Sequence, residues 1–388
     1  MKSAILKPGK EVSIRRGHPW IFSGAIAKHD EMEAGDWLEV FDHKNQFIAA
    51  GFWGTGSIAV RILSRKSVSP DLAFWKEKIH NCLHTRNLLD FYPEANTNAY
   101  RLVHGEGDSI PGLIADVYGT CVVLQAHDYG IYRNLELIKE AILETLPWKP
   151  TTIYSKSKAT LHDKTVEDVL LFGNELETVA KENGISFKVN WAEGQKTGFF
   201  LDQRFNRELV GKFSKDKSVM NCFSYSGGFS VYALKAGASE VASIDVSQKA
   251  VDLANENVIL NQLDENKHHS ITADVLEYLK EQKDQWDIVI LDPPAFAKNL
   301  KKKHAAVMGY KRLNALGMQA VKPGGLLFTF SCSQVIDTDL FTNTITAAGI
   351  ECGRNARILY RLGQGPDHPV NLFHPEGSYL KGLVLQID

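Results

Sequence analysis

Trp286–Phe296 reads WDIVILDPPAF. Ile288, Val289, Ile290 and Leu291 form a run of β-branched and apolar residues, the pattern of a central parallel strand covered on both faces. The run stops at Asp292-Pro293-Pro294, because proline has no N–H to give a sheet ladder. Asp292 is thereby left at the carboxyl edge of the sheet, where open α/β sheets bind their ligands. Alone, an aspartate there is equally an ordinary loop residue. The sequence on either side decides between the two.

From Ile185 onward that side is a regular alternation. A hairpin-like lead-in, ISFKVNWAEGQKTGFFLDQRFNRELV, carries Gln203 and Arg204. Strand SVMNCFS runs into Gly227-Gly228 and a helix, and strand EVASID ends in Asp245 before helix VSQKAVDLANENVILNQ. Strand HSITAD ends in Asp274 before helix VLEYLKEQ; after the WDIVILDPP strand come a helix over 304–321, strand GGLLFTFSC, and a helix over 339–348. ARILYRLG and YLKGLVLQID are the closing strands. Parallel neighbours need crossover connections, so this order specifies a doubly wound, mostly parallel sheet.

Four strand ends then carry chemistry. The turn NCFSYSGGFS has glycines that let backbone approach a ligand, followed by a helix N-terminus. It lacks the GK[ST] of a P-loop and the spacing of GxGxxG, which argues against nucleotide triphosphate hydrolysis and weakens a dinucleotide reading. Asp245 lies where an acid accepts hydrogen bonds from ribose hydroxyls. Asp274 stands where it would meet an adenine, although such residues more often cap helices. Cys332 follows GGLLFTF, one strand along from Asp292, and a thiolate there suits covalent addition to a ligand in the same pocket. The competing reading is a buried, inert thiol.

Upstream, residues 1–68 read as short strands with no convincing helix, a small β-barrel. Arg15, Arg16, His18, Trp20, Arg61 and Arg65 mix bases with an aromatic, as single-strand RNA readers do, or are solvated arginines on a plain β-domain. Residues 69–184 read as a middle α+β domain: a helix over 71–90, two strands around a Gly/Pro-rich turn in YRLVHGEGDSIPGLIADVYGTCVVLQA, a helix over 132–145 and a strand TTIYSKSKA. Its basic edge is Lys156, Lys158 and Lys164. Residues 185–388 are the third domain. The five scattered cysteines have no CxxC spacing, against a disulfide framework or a metal site and for a reduced, cytoplasmic setting. A formal charge of −2 announces no nucleic-acid partner, and no apolar run is long enough for a membrane span.

The glycine turn, two acids and DPP at successive strand ends resemble the class I S-adenosylmethionine methyltransferases. With HPWIFSGAI, EGQKTGFFLDQR, FSCS and HPVNLFHPEGSYLKG added, the chain resembles bacterial large-subunit rRNA methyltransferases built from a PUA domain, a middle α+β domain and a seven-stranded class I methyltransferase domain. That resemblance implies S-adenosylmethionine as cofactor and methylation at carbon 5 of a 23S rRNA cytosine, in free rRNA or an assembling large subunit. It implies Cys332 as nucleophile and Asp292 as the group orienting the base. Gln203, Arg204, Asn221, Phe223, Ser224, Gly227, Gly228, Asp245, Ser247, Asp274 and Asp292 are its cofactor set. The wider RNA cytosine-5 enzymes carry a second cysteine in the aspartate motif, which DPPAF lacks, so the base removing the carbon-5 proton is unassigned between neighbours such as Lys298 and Tyr310. Lys301-Lys302-Lys303-His304 offers charge for RNA phosphates. Phe296 offers a stacking face for a base drawn from its stack.

Three alternatives stay open: methylation at nitrogen, such as guanine N7, on the same fold without cysteine chemistry; a non-catalytic RNA-binding protein; and a dinucleotide oxidoreductase. A homodimer through the middle domain is also open.

Overall fold

The computed structural model describes all residues except 92–95, 162, 164 and 298, and the side chain at 300. Lys164 and Lys298 thus lie outside the described residues. The chain divides into two compact units, one of Met1–Gly184, Val189–Leu201 and Pro366–Gly377, the other of Ile185–Lys188, Asp202–Gly365 and Ser378–Asp388.

The first unit opens with β1 (Lys2–Leu6), α1 (Glu11–Arg15), β2 (Trp20–Phe22), β3 (Ile26–His29), β4 (Trp37–Phe41), β5 (Phe47–Trp53) and β6 (Ile58–Ser64). These strands form a sheet in the order β2-β6-β5-β4-β1-β3 around a core of Leu6, Ile14, Ile21, Val40 and Val60. Contrary to the helix-free reading, α1 is a helix. With five residues and Ile14 alone buried, it is too short to show a period.

The unit continues with α2 (Leu72–Leu88), β7 (Ala99–His104), β8 (Leu113–Tyr118), β9 (Cys121–Ala126), α3 (Tyr129–Arg133), α4 (Leu135–Thr145), β10 (Thr152–Ser155), α5 (Lys158–Leu161), β11 (Val169–Phe172) and β12 (Glu177–Glu182), and β13 (Ile185–Asn190) has residues in both units. Asp71 caps α2 by accepting from the Phe74 N–H, and Trp75, Ile79, Cys82, Leu83 and Arg86 make its buried stripe. The stretch read as two strands is three, β7 to β9, within the sheet β11-β10-β9-β8-β7. The helix expected over 132–145 is broken at Asn134, whose side-chain amide donates to the Gly130 carbonyl and competes with the helical ladder.

The second unit holds α6 (Arg204–Phe213), β14 (Ser218–Cys222), α7 (Gly228–Lys235), β15 (Glu240–Asp245), α8 (Gln248–Leu260), β16 (His268–Thr272), α9 (Val275–Lys280), β17 (Trp286–Leu291), α10 (Lys303–Ala320), β18 (Val321–Ser331), α11 (Thr338–Cys352), β19 (Ala356–Leu362) and β20 (Lys381–Ile387). Its seven strands run β16-β15-β14-β17-β18-β20-β19. Those from β16 to β18 pair in parallel, and β20 and β19 pair antiparallel. This is the doubly wound, mostly parallel sheet expected, with β17 buried along its apolar run.

The lead-in differs. Arg204–Phe213 is a helix where a hairpin was expected, because its buried face is Arg204, Asn206, Arg207 and Val210. A mostly polar inward stripe leaves no hydrophobic period to read.

Candidate active site at the switch point of the seven-stranded sheet

Chain connections from β14 run one way to β15 and β16, and from β17 the other way to β18. The crevice outside the carboxyl ends of β14 and β17 is the topological switch point, where sheets of this kind bind ligands. The turn after β14 bends sharply there: Phe223, Tyr225 and Gly227 take φ of +60°, +44° and +70°. The Tyr225 N–H donates to Asp245 Oδ2 (3.0 Å) and the Ser247 N–H to Asp245 Oδ1 (2.9 Å), so Asp245 ties the β14 turn to the start of α8.

The glycines also have a packing reason. A Cβ on Gly227 would meet Ala254 Cβ at 2.8 Å, and one on Gly228 would meet Arg207 Cδ at 2.9 Å. Both positions are shaped by close packing of α8 and α6 against the turn.

Two polar atoms of β14 and its turn have no hydrogen-bond partner among the described residues. Asn221 is buried with its Nδ2 donating to Ser230 Oγ (2.9 Å), and its Oδ1 has no hydrogen bond; the buried Ser224 Oγ has none either. At a ligand crevice, buried polar atoms of this kind are available to a polar ligand or to water.

The remaining expected cofactor residues are spread around this edge. Ser247 caps α8, and Asp274 is exposed and caps α9 by accepting from the Glu277 N–H. Gln203 is occupied within the protein: its Nε2 donates to Asp292 Oδ2 (2.9 Å), and its Oε1 accepts from Asn206 Nδ2 (2.6 Å). Gln203 therefore fixes the orientation of Asp292. Arg204 is buried at the start of α6.

Cys332 is the first residue beyond β18 and is partly exposed. Burial pushes the Cys82 and Cys222 thiols up, and that of Cys121 up to about 12, which marks them as inert. Cys352 ends α11, where its thiol donates to the Gly349 carbonyl. Tyr310, fully buried, is pushed up to about 12 by burial, with the charges of Cys332 and Asp292 adding to the shift. Its hydroxyl accepts from Ser331 Oγ at 2.9 Å. A phenol so shifted keeps its proton near neutrality and is unsuited to act as a base.

Sequence reasoning passed over Asn206 and Lys381; it read Ser331 and Ser333 as loop residues flanking Cys332, whereas Ser331 ends β18 and both are buried. Lys381 pairs with Ser331 across the β18–β20 ladder, and its ammonium donates to the carbonyls of Ser333 and Tyr379, both at 2.7 Å. The only signal was its place in SYLKG. Phe296 stands against Tyr310, ring centroids 4.6 Å apart. Lys301 and Lys302 are exposed just before α10. Of the basic and aromatic set in 1–68, Arg15 pairs with Asp42, Arg61 with Asp128, Trp20 Nε1 donates to Glu106, and Arg65 donates to the Ile14 carbonyl. Arg16 is exposed, with no side-chain bond among the described residues.

An S-adenosylmethionine-dependent methyltransferase family model matches residues 101–371, and a PUA-like domain model matches residues 4–65. Fold, site and these matches define a class: an S-adenosylmethionine-dependent methyltransferase with a PUA-like domain. The chain belongs to the ribosomal RNA large subunit methyltransferase I family. It is 39% identical to the protein of that name from Alteromonas mediterranea over 393 residues, 99% of this chain and 98% of that one. In fold it is similar to a SAM-dependent methyltransferase from Streptococcus mutans, with a TM-score of 0.85 over 100% of both chains at 24% identity. It is also similar to a methyltransferase crystallised with SAH, at a TM-score of 0.86 and 24% identity, again over 100% of both chains. The cofactor of the family is S-adenosylmethionine, and the open polar atoms of Asn221 and Ser224 fit a ligand rich in donors and acceptors.

Proposed function

We propose that the chain methylates carbon 5 of a cytosine in 23S rRNA, free or in an assembling large subunit, with Cys332 as the nucleophile. The observation that carries this reading is that Asp292 and Cys332 directly follow the paired parallel strands β17 and β18, side by side at the carboxyl edge of the sheet. Relatives of similar length named as ribosomal RNA large subunit methyltransferases support RNA as the substrate.

In this reading residues 1–68 are the RNA-binding PUA-like domain, 69–184 a middle domain and 185–388 the methyltransferase domain. Asn221, Phe223, Ser224, Gly227 and Gly228 line the cofactor, with Arg204, Asp245, Ser247 and Asp274 around it. When bound, S-adenosylmethionine supplies an electrophilic methyl group. Cys332 loses its proton to water, and its Sγ bonds to carbon 6 as the carbon 5–carbon 6 π pair moves to carbon 5. Asp292, held by Gln203, accepts a hydrogen bond from the exocyclic amine or protonated ring nitrogen of the cytosine. The pair on carbon 5 would then bond the methyl group, whose former bonding pair stays on the donor's sulfur; the carbon 5 proton leaves to water and the Sγ–carbon 6 bond breaks. Its pair returns to sulfur and the double bond re-forms.

The test is methyl transfer from labelled S-adenosylmethionine to unmodified 23S rRNA by wild type and Cys332→Ala. The expected result is 5-methylcytosine from wild type and none from the variant, with cofactor binding retained. Full activity in the variant removes the cysteine chemistry and leaves N-methylation as the reading.

A further inference from the structure

We infer that Lys381 is a positioning residue for Cys332: a buried ammonium on β20, anchored by two carbonyls, whose remaining N–H holds the charge of the cysteine thiolate. This rests on the reading of Cys332 as the nucleophile.

Three observations carry it. Lys381 is 6% exposed, and a cation so buried is costly unless a negative charge accompanies it. An ammonium has three N–H donors. Two reach the Ser333 and Tyr379 carbonyls, which are dipoles and not charges. Ser333 follows Cys332 directly, so the anchor fixes the ammonium beside the loop that presents the thiol. The third observation is electrostatic. Burial pulls the Lys381 ammonium below its usual range, and the charges of Cys332 and Asp337 pull it back up. Such coupling is reciprocal: if the thiolate favours the ammonium, the ammonium favours the thiolate.

The other groups around the sulfur sharpen the assignment. Tyr310, on α10, is bonded to Ser331, the residue before Cys332, and keeps its proton. Asp292, after β17, shares Tyr310's surroundings with Cys332. Asp337 caps α11 and adds a second carboxylate on the lysine's side. Among these titratable groups Lys381 alone brings positive charge. A merely structural clamp on two carbonyls would need no charge, because a neutral amide donates as well.

The experiment reads the pH profile of Cys332 alkylation by iodoacetamide, resolved from the other cysteines by peptide mass spectrometry, in the full chain. Lys381→Gln and Lys381→Met remove the charge, and Lys381→Arg keeps it. The expected result is a midpoint moved up by about one pH unit or more in the neutral variants, with a roughly tenfold slower reaction on the acid side of the profile, and little movement in the arginine variant. An unmoved midpoint in a neutral variant that still binds S-adenosylmethionine overturns the proposal. So does an equal shift in all three, which would make geometry the cause. Loss of the fold in both neutral variants assigns Lys381 to the framework and also overturns it. Failure of the underlying reading looks different: Cys332→Ala then goes on methylating rRNA, whatever the alkylation profiles show.

Discussion

The Arg86–Arg101 network of the first unit and the edge of the seven-stranded sheet both bury polar side chains, on opposite terms. In the first unit Arg86, 0% exposed, bonds Asp108 through both terminal nitrogens (2.6 and 2.7 Å) and donates to the carbonyls of Arg101 and Asp367. Arg101 grips Asp116 in the same two-pronged way, and Asp116 also accepts from Thr197. At the sheet edge, by contrast, Asn221 Oδ1 and Ser224 Oγ are buried without partners, and the Lys381 ammonium has two acceptors for three donors. Saturated polar groups hold a framework, whereas buried groups with spare bonding capacity are costly in isolation and tolerable where a ligand or reacting group completes them.

The sharpest way to break this contrast is Arg86→Leu. It leaves the Asp108 carboxylate, 6% exposed, without its cation. Removing one partner of a buried pair costs about 3–5 kcal/mol, so urea unfolding should show a loss of that size in the first unit. A loss below about 1 kcal/mol would show that the network is not framework. A gentler change tests the other side. Ser224→Ala removes an unpartnered hydroxyl, so unfolding should be unmoved or slightly improved. Calorimetric titration with S-adenosylmethionine should weaken about fivefold, the worth of one neutral hydrogen bond. Unchanged affinity would make Ser224 an orphan of packing and nothing more.

The same contrast explains how much was legible in sequence. The sheet was, because β14, β15, β17 and β18 bury apolar runs that end at residues with chemistry: Asp245, Asp292 and Cys332. Helix α6 was not, since its inward face is made of Arg204, Asn206 and Arg207, and a polar stripe carries no hydrophobic period. Gln203 stood out as a residue, but its partner Asp292 lies 89 positions away, a pairing that only the fold makes. Lys381 was hidden for a similar reason. Its bond to Ser333 spans 48 residues, and lysine in a strand reads as solvent-facing until the neighbouring strand and loop are in place. Among the arginines of 1–68, Arg61 serves a pair with the buried Asp128, a partner 67 positions away.

The smallest effect concerns the chain of hydrogen bonds behind Asn221. Its Nδ2 donates to Ser230 Oγ, which lies 2.7 Å from Ser243 Oγ, itself 2.7 Å from His268 Nε2. Burial pulls His268 down to about 4 from a usual value of 6.5, with the charge of His269 adding to it. The unfolded chain therefore takes up the proton first as pH falls. Stability tied to His268 is present in full above about 6.5 and drains away toward about 4, by at most ~1.4 kcal/mol per pH unit for a single group. His268→Asn should flatten the acid slope of the unfolding midpoint in that window relative to wild type. Because Asn221's amide is turned by this same chain, the substitution should also weaken S-adenosylmethionine binding slightly near neutral pH. An unchanged acid slope would mean that His268 does not enter the fold as a neutral, buried partner of Ser243, and that the unpartnered carbonyl of Asn221 is aimed by the packing of α7 alone.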